Sequence, residues 1–162
     1  WVHDEDDILA HVTLSKPSLG VPVWKDWAVT AEQKAYFEKG TNAVACLVHP
    51  DGSAGKRQIV GIKDVVRSIL LAIGNPTAIG EAFNISGPSP FAYDVLAEYV
   101  AKKLDLAVVR FEVSEFRDFC IDMSKSRAVL GFDPEYDIFR IVDDALEFRK
   151  AGRTRSVCPY PG

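Results

Sequence analysis

The chain has 162 residues, 48% of them hydrophobic and 26% charged, a composition that suits one globular domain and excludes disordered, collagen-like and disulfide-scaffold classes. A net charge of −4 argues against a broad phosphate-backbone footprint, so nucleic acid is not an expected partner. Apolar runs such as 69–73 are far short of the roughly 20 residues that span a bilayer, and no basic segment precedes an apolar one at the start, so a soluble protein with no membrane partner is expected. The three cysteines, Cys46, Cys120 and Cys158, form no C-x-x-C pair, which predicts a reducing, cytoplasmic setting and no zinc or dithiol site. The chain opens on Trp1 and its only methionine is Met123, from which a processed or truncated polypeptide is expected.

Residues 1–25 carry an acidic run, a short apolar stretch over 8–14 and the breakers Pro17, Gly20 and Pro22, and are expected to form a weak helix and a loop. Thr30-Ala31-Glu32-Gln33 has capping-box spacing, predicting a helix that Gly40 stops. Ala43–Val48 reads as a buried strand, the turn cluster of 50–55 follows, and a second strand is expected over 58–62 in a β-turn-β unit. From Asp64 the apolar positions Val65, Val66, Ile69, Leu70 and Ile73 repeat at helical spacing until Gly74-Asn75-Pro76. A strand is expected over 81–86 and an amphipathic helix over 90–104, with Ser89 as its cap and Pro90 at its first position. A strand over 107–113, a short helix Ser124–Leu130 stopped by Gly131, and a last helix over 138–151 capped by Asp137 and stopped by Gly152 complete the order. Asp64 and Asp122, each just before a helix, are expected to cap free amides rather than to catalyse. The pattern predicts an α/β fold with helices packed on a small sheet.

Three segments carry a resemblance. They are Arg57-Gln58-Ile59-Val60-Gly61-Ile62-Lys63-Asp64, then Glu81-Ala82-Phe83-Asn84-Ile85-Ser86-Gly87, then Asp122-Met123-Ser124-Lys125 running to Leu130-Gly131-Phe132-Asp133-Pro134. In this order they resemble the C-terminal, substrate-binding part of extended short-chain dehydrogenases, the NAD-dependent epimerase/dehydratase family that acts mainly on nucleotide sugars. The match lies within 57–152, and residues 1–56 match poorly. The resemblance implies a small mixed sheet packed with helices and separated from its Rossmann half, with 1–152 as the substrate-binding portion and 153–162 as a surface tail. It departs from the family where Gly61 replaces a frequent His and Ala92 a frequent Ser helix cap.

Arg57, at the start of a strand, offers a rigid bidentate fork for a diphosphate, or else is a solvated edge arginine. The family's arginine at this place contacts the nucleotide diphosphate. The family's second phosphate-directed arginine has candidates in Arg110 and Arg117; Arg117 is the one selected, although Asp118 beside it can simply neutralise it. Tyr99 and Lys103 have the catalytic Y-x-x-x-K spacing, one helical turn apart, yet they follow the Phe83-Asn84-Ile85-Ser86-Gly87 strand and sit where the family has a substrate-domain helix. No residue is therefore assigned a catalytic role. Neither G-x-G-x-x-G nor G-x-x-G-x-x-G occurs, so no residue is assigned to a cofactor. The acidic run with His3, His11 and His49 reads as a solvated face, not a metal site. Trp24 and Trp27 read as core or interface residues.

The resemblance thus implies the nucleotide-sugar-binding part of an epimerase or dehydratase whose parent uses NAD or NADP, with no oxidoreductase activity in this portion alone. A stand-alone nucleotide-sugar-binding or regulatory module without redox chemistry is the alternative. The expected partners are a nucleotide-sugar-like molecule and a missing or separate Rossmann half, with homodimerisation left open.

Overall fold

The structure, a computed structural model, describes residues 2–3, 13–14, 30–31, 43–112 and 118–152. The expected helix after Thr30 falls mostly outside these residues, as do Trp24, Trp27, Arg117 and the tail 153–162. Seven strands and four α-helices are described: β1 Val2–His3, β2 Thr13–Leu14, β3 Ala43–Val48, β4 Lys56–Arg57, β5 Val60–Gly61, α1 Ile62–Ala72, β6 Phe91–Ala92, α2 Tyr93–Leu104, β7 Ala107–Glu112, α3 Ser124–Leu130 and α4 Ile138–Lys150. They form an α/β fold with small sheets in the orders β1-β5, β2-β3-β7 and β4-β6. Two described pieces of the first 25 residues, expected as a weak helix and a loop, are strands, and the rest of that stretch lies outside the described residues.

β3 is the centre of the largest sheet, antiparallel to β2 and parallel to β7, with Ala43 opposite Ala107 and Val48 opposite Glu112. All six of its residues are buried, as a continuous apolar run flanked by strands on both sides requires. β7, described with one strand partner, alternates instead: Val109 and Phe111 face inward while Val108, Arg110 and Glu112 face out. Leu96, Ala97 and Val100 of α2 pack against this sheet, and Ile141, Val142 and Ala145 of α4 join the same buried cluster, α4 lying on α2. Each fully buried Leu, Val or Phe here contributes about 1.5–3 kcal/mol of transfer free energy. A second cluster, Met123, Leu130 and Phe132, gathers Phe83 and Ile85 beside it.

The expected β-turn-β unit exists only as a turn closed by His49 and Ser53 and a bridge of Val48 to Ala54. Beyond it the chain splits its pairing, β4 going antiparallel to β6 and β5 parallel to β1, so no continuous strand runs over 58–62. The stretch 81–86 joins no sheet. Side chains and isolated backbone contacts hold it instead: the Ser86 amide donates to Met123 Sδ at 3.2 Å, Asn84 Nδ2 to the Asp122 carbonyl at 3.0 Å, the Glu81 amide to the Ala78 carbonyl at 3.1 Å, and the neighbouring Gly87 amide to the Ile59 carbonyl at 2.7 Å. At Gly87 an added Cβ would lie 2.3 Å from that same carbonyl oxygen, a separation no side chain tolerates.

Helix ends follow the local signals in part. Asp137 accepts the Arg140 amide at 2.8 Å, and Gly131 closes α3 at φ 64° in the left-handed region. α2, however, begins at Tyr93, because Phe91 and Ala92 are taken by pairing with β4; its cap is Ala92, without a side-chain acceptor, and Ser89 and Pro90 lie outside it. The Tyr93 amide compensates by donating to the Gly55 carbonyl at 2.9 Å. Its C-terminus closes on Asp105, a non-glycine residue at φ 53°, which sequence signals did not mark.

Asp64 is the clearest departure. The cap of α1 is Gly61, and Asp64 sits fully buried in the first turn. Its carboxylate accepts the Tyr136 amide at 2.9 Å, the Glu135 amide at 3.1 Å and Arg67 Nη1 at 3.0 Å. The carboxylate therefore anchors a distant loop rather than its own helix, and the bonds from three donors offset the cost of burying the charge. Asp122 does serve its helix: it accepts both the amide and the hydroxyl of Ser124, which hold its carboxyl below the ordinary range, although Met123 is the backbone cap.

Candidate functional site

Arg57 lies at the end of β4, opposite Phe91, half-buried. Its guanidinium carbon stands 5.0 Å from the centre of the Phe119 ring. It also hydrogen-bonds the Tyr93 hydroxyl, whose pKa burial pushes up to about 12 while Arg57 pulls the other way. Tyr93 in turn packs its ring 5.6 Å from that of Phe91. A guanidinium held between an aromatic ring and a buried phenol has little rotamer freedom left, and stacking uses the π-face while leaving in-plane N–H groups at the edge.

The segment that brings Phe119 to Arg57 is strapped down at both ends. Asp118 Oδ1 accepts the Lys56 amide at 2.7 Å and lies 3.2 Å from His49 Nε2, and these contacts, the Lys56 amide first, lower the Asp118 pKa. At the other end the buried Gln58 accepts the Ile121 amide at 2.8 Å through its oxygen and donates to the Gly87 carbonyl at 2.8 Å through its nitrogen. Gln58 follows Arg57 directly, so one β4 register sets both the arginine and the strap above it. Between the anchors, Cys120 presents a free, exposed thiol.

Asp118 engages His49 and Lys56; Arg117, which it could also neutralise, lies outside the described residues. Arg110 stands on the outer face of β7, exposed. His49, considered among metal ligands, spends its ring on Asp118, and no group of three or more His, Cys, Asp or Glu able to hold a metal occurs among the described residues. Sequence reasoning missed Phe119 and Tyr93 as partners of Arg57. Tyr93, the first residue after the β4 partner strand, had a register signal; Phe119 had none.

Tyr99 and Lys103 are brought together, and both turn to Asp143 of α4. The Tyr99 hydroxyl donates to the two carboxylate oxygens at 2.8 and 2.9 Å, and Lys103 Nζ donates at 2.5 Å. The ion pair holds the Lys103 ammonium above and the Asp143 carboxyl below their ordinary values. Tyr99 also meets Phe139 edge-on, ring centres 4.8 Å apart. The triad clasps α2 to α4.

The start of α1 is not built as a dinucleotide cradle. β5 passes from Gly61 straight into α1 with no glycine-rich turn, and the carboxylate of Asp64 is buried in the first helical turn, where a pyrophosphate would meet like charge. Gly61 is tightly packed as well: a Cβ there would lie 3.2 Å from Tyr136 Cβ and 3.4 Å from Ile141, so a larger residue would have to push these side chains aside.

No family model matches the chain. A curated relative, the chloroplast stem-loop binding protein of 41 kDa b from Arabidopsis thaliana, is 30% identical over 111 residues, covering 59% of this chain and 29% of that protein. Among solved structures, a short-chain dehydrogenase/reductase superfamily protein from Agrobacterium tumefaciens with bound NAD matches 93% of this chain and 48% of its own, at TM-score 0.73 and 18% identity. The UDP-glucuronic acid 4-epimerase of Bacillus cereus, with UDP-glucuronic acid and NAD, matches 66% of this chain and 35% of its own at TM-score 0.54 and 18% identity. The UDP-glucose 4-epimerase of Thermotoga maritima, with UDP-glucose, matches 67% and 36% at TM-score 0.53 and 24% identity. The chain spans about half or less of the length of each of these proteins. The chain has the fold of part of these short-chain dehydrogenase/reductase and epimerase structures.

Proposed function

We propose that this chain is the nucleotide-sugar-binding part of an NAD(P)-dependent epimerase or dehydratase, and that Arg57 holds the diphosphate of the substrate. The observation that carries this reading is the mounting of Arg57: a guanidinium fixed on Phe119 and Tyr93 at a half-exposed strand end presents a preformed fork to paired anionic oxygens. Two of the structural neighbours were solved with UDP sugars, which supports that substrate class. Arg117 is a second candidate phosphate contact, carried from sequence alone. The hydride chemistry belongs to the dinucleotide, for which the start of α1 offers no cradle, so this chain alone binds without turning over. Free thiols at Cys46 and Cys120 suit a reducing compartment, and no helix among the described residues is long and apolar enough to cross a membrane.

The test is titration calorimetry of the 162-residue chain with UDP-glucose. Saturable binding is expected, Arg57→Ala should weaken it by about 100-fold and Arg57→Lys by about tenfold, because a lysine keeps the charge and loses the fork. No saturable binding, or an unchanged affinity in Arg57→Ala, overturns the assignment. The stem-loop binding in the Arabidopsis relative's name is not carried over, since a net charge of −4 gives it no electrostatic support.

A further inference from the structure

Residues 118–121 run past Arg57 outside any helix or strand, so no backbone ladder sets their course. Two fasteners set it instead. At the outer end the Asp118 carboxylate accepts the Lys56 amide at 2.7 Å and meets His49; at the inner end the Ile121 amide donates to Gln58 Oε1 at 2.8 Å. Phe119, whose ring lies against the Arg57 guanidinium, is carried between them.

The inner fastener is the more rigid. Gln58 is 2% exposed, and only one orientation of its carboxamide satisfies both neighbours: the Gly87 carbonyl can only accept and the Ile121 amide can only donate, so the nitrogen faces Gly87 and the oxygen faces Ile121. Gly87 returns its own amide to the Ile59 carbonyl at 2.7 Å, so two consecutive residues, Gln58 and Ile59, grip one glycine. A side chain buried and bonded at both ends has already lost its rotamer freedom, and a loop tied to it is restrained with the backbone that carries it. The residue directly before Gln58 on that backbone is Arg57. The guanidinium and the ring it stacks on are thus both indexed to one short stretch of chain, Arg57 by its own backbone and Phe119 through Gln58.

We propose that Gln58 is a positioning residue for diphosphate binding: its carboxamide holds the 118–121 strap so that Phe119 keeps the Arg57 guanidinium in its binding orientation. The proposal rests on the diphosphate contact assigned to Arg57 above and adds a buried residue behind it. With the strap released, Arg57 keeps its charge and its Tyr93 contact and loses one of the two surfaces that fix the plane of its fork. The side-chain freedom it then has to surrender on binding appears as weaker affinity, with no change of charge at the site.

The test is a double-mutant cycle on the 162-residue chain, with UDP-glucose affinity read by titration calorimetry for wild type, Gln58→Met, Phe119→Leu and the pair. Met has the length of Gln and fills its place without either hydrogen bond. Each single variant is expected to weaken binding by about tenfold, and the pair by no more than either alone, because both act on Arg57 through one ring. Additive losses, which a merely structural Gln58 would give, overturn the proposal, as does an unchanged affinity in Gln58→Met. A ligand-free arm follows exchange of the Ile121 amide by NMR. Exchange about tenfold faster is expected in Gln58→Met, and an unchanged rate overturns the strap whatever the ligand does. If circular dichroism shows that Gln58→Met does not fold, Gln58→Asn takes its place, since it keeps a carboxamide that is one methylene too short to reach both Gly87 and Ile121. Arg57→Ala separates the two readings. No saturable binding in wild type, or an unchanged affinity in Arg57→Ala, overturns the diphosphate contact and this proposal with it; a loss in Arg57→Ala beside an unchanged Gln58→Met overturns the positioning role alone.

Discussion

α1 and the α2–α4 pair carry apolar stripes of similar regularity and put them to opposite use. In α2 the stripe faces β3 and in α4 it joins the same core against α2: Leu96, Val100, Ile141 and Val142 are buried and most of the charged residues face out. In α1 the stripe faces out, and what faces in is a carboxylate and a hydroxyl, Asp64 bonded to the 135–136 loop and Ser68 to the Val65 carbonyl. Periodicity therefore states that a helix has two faces without stating which one the chain itself covers. α1 is attached by charge-assisted hydrogen bonds with only Ala72 packed on the Met123 cluster, whereas α2 and α4 are attached mainly by buried area.

Removing the anchor tests that contrast most severely. Asp64→Ala leaves two backbone amides and Arg67 without their acceptor, and a loss of about 3–5 kcal/mol in urea unfolding is expected. A loss below 1 kcal/mol would show that α1 is held by something other than its polar side. On the opposite helix pair, Leu96→Ala should cost about 3 kcal/mol through lost burial and a cavity next to β3.

The α2–α4 clasp sharpens the contrast through pH. Lys103 holds the folded Asp143 carboxyl below its unfolded value, so its contribution is fully present above the unfolded carboxylate pKa of about 3.9 and is lost as pH falls through the lower folded value. Because the Asp143 side chain is 45% exposed, solvent screens the effect and it is small. The urea midpoints of wild type and Asp143→Asn should differ at pH 6 and converge toward pH 3; a difference that persists in acid would place the clasp's strength elsewhere. Smallest of all, Leu70→Ala should change the stability of the 162-residue chain by less than about 0.5 kcal/mol, against the much larger cost of the same change at Leu96. A cost above 1 kcal/mol would mean that the chain already covers the stripe.

What the sequence made legible was local. β3 announced itself as an unbroken apolar run, Gly131 and Asp137 as the stop of α3 and the cap of α4, because each signal depends on residues within one turn of the chain. The α2 start was misplaced by three residues because β4, more than 30 positions earlier, claims Phe91 and Ala92. The 81–86 stretch has strand composition, yet its amides go to a thioether and a carbonyl from other segments. Asp64 has cap spacing, and partners 71 and 72 positions away outcompete the nearby amides. Arg57 was visible as a candidate; the stacked Phe119 was not, since the strap that delivers it depends on Asp118 and Gln58 reaching across 62 and 63 positions.

Gly87 has a bearing on how this protein is traced among distant sequences. Its missing side chain is what lets the Ile59 carbonyl come in to its amide, and no other residue type leaves that space. Most of the core can drift among residues of similar volume without changing shape. Any sequence that preserves this approach has to preserve the glycine, so Gly87 is a fixed point from which alignments below one-fifth identity can be registered.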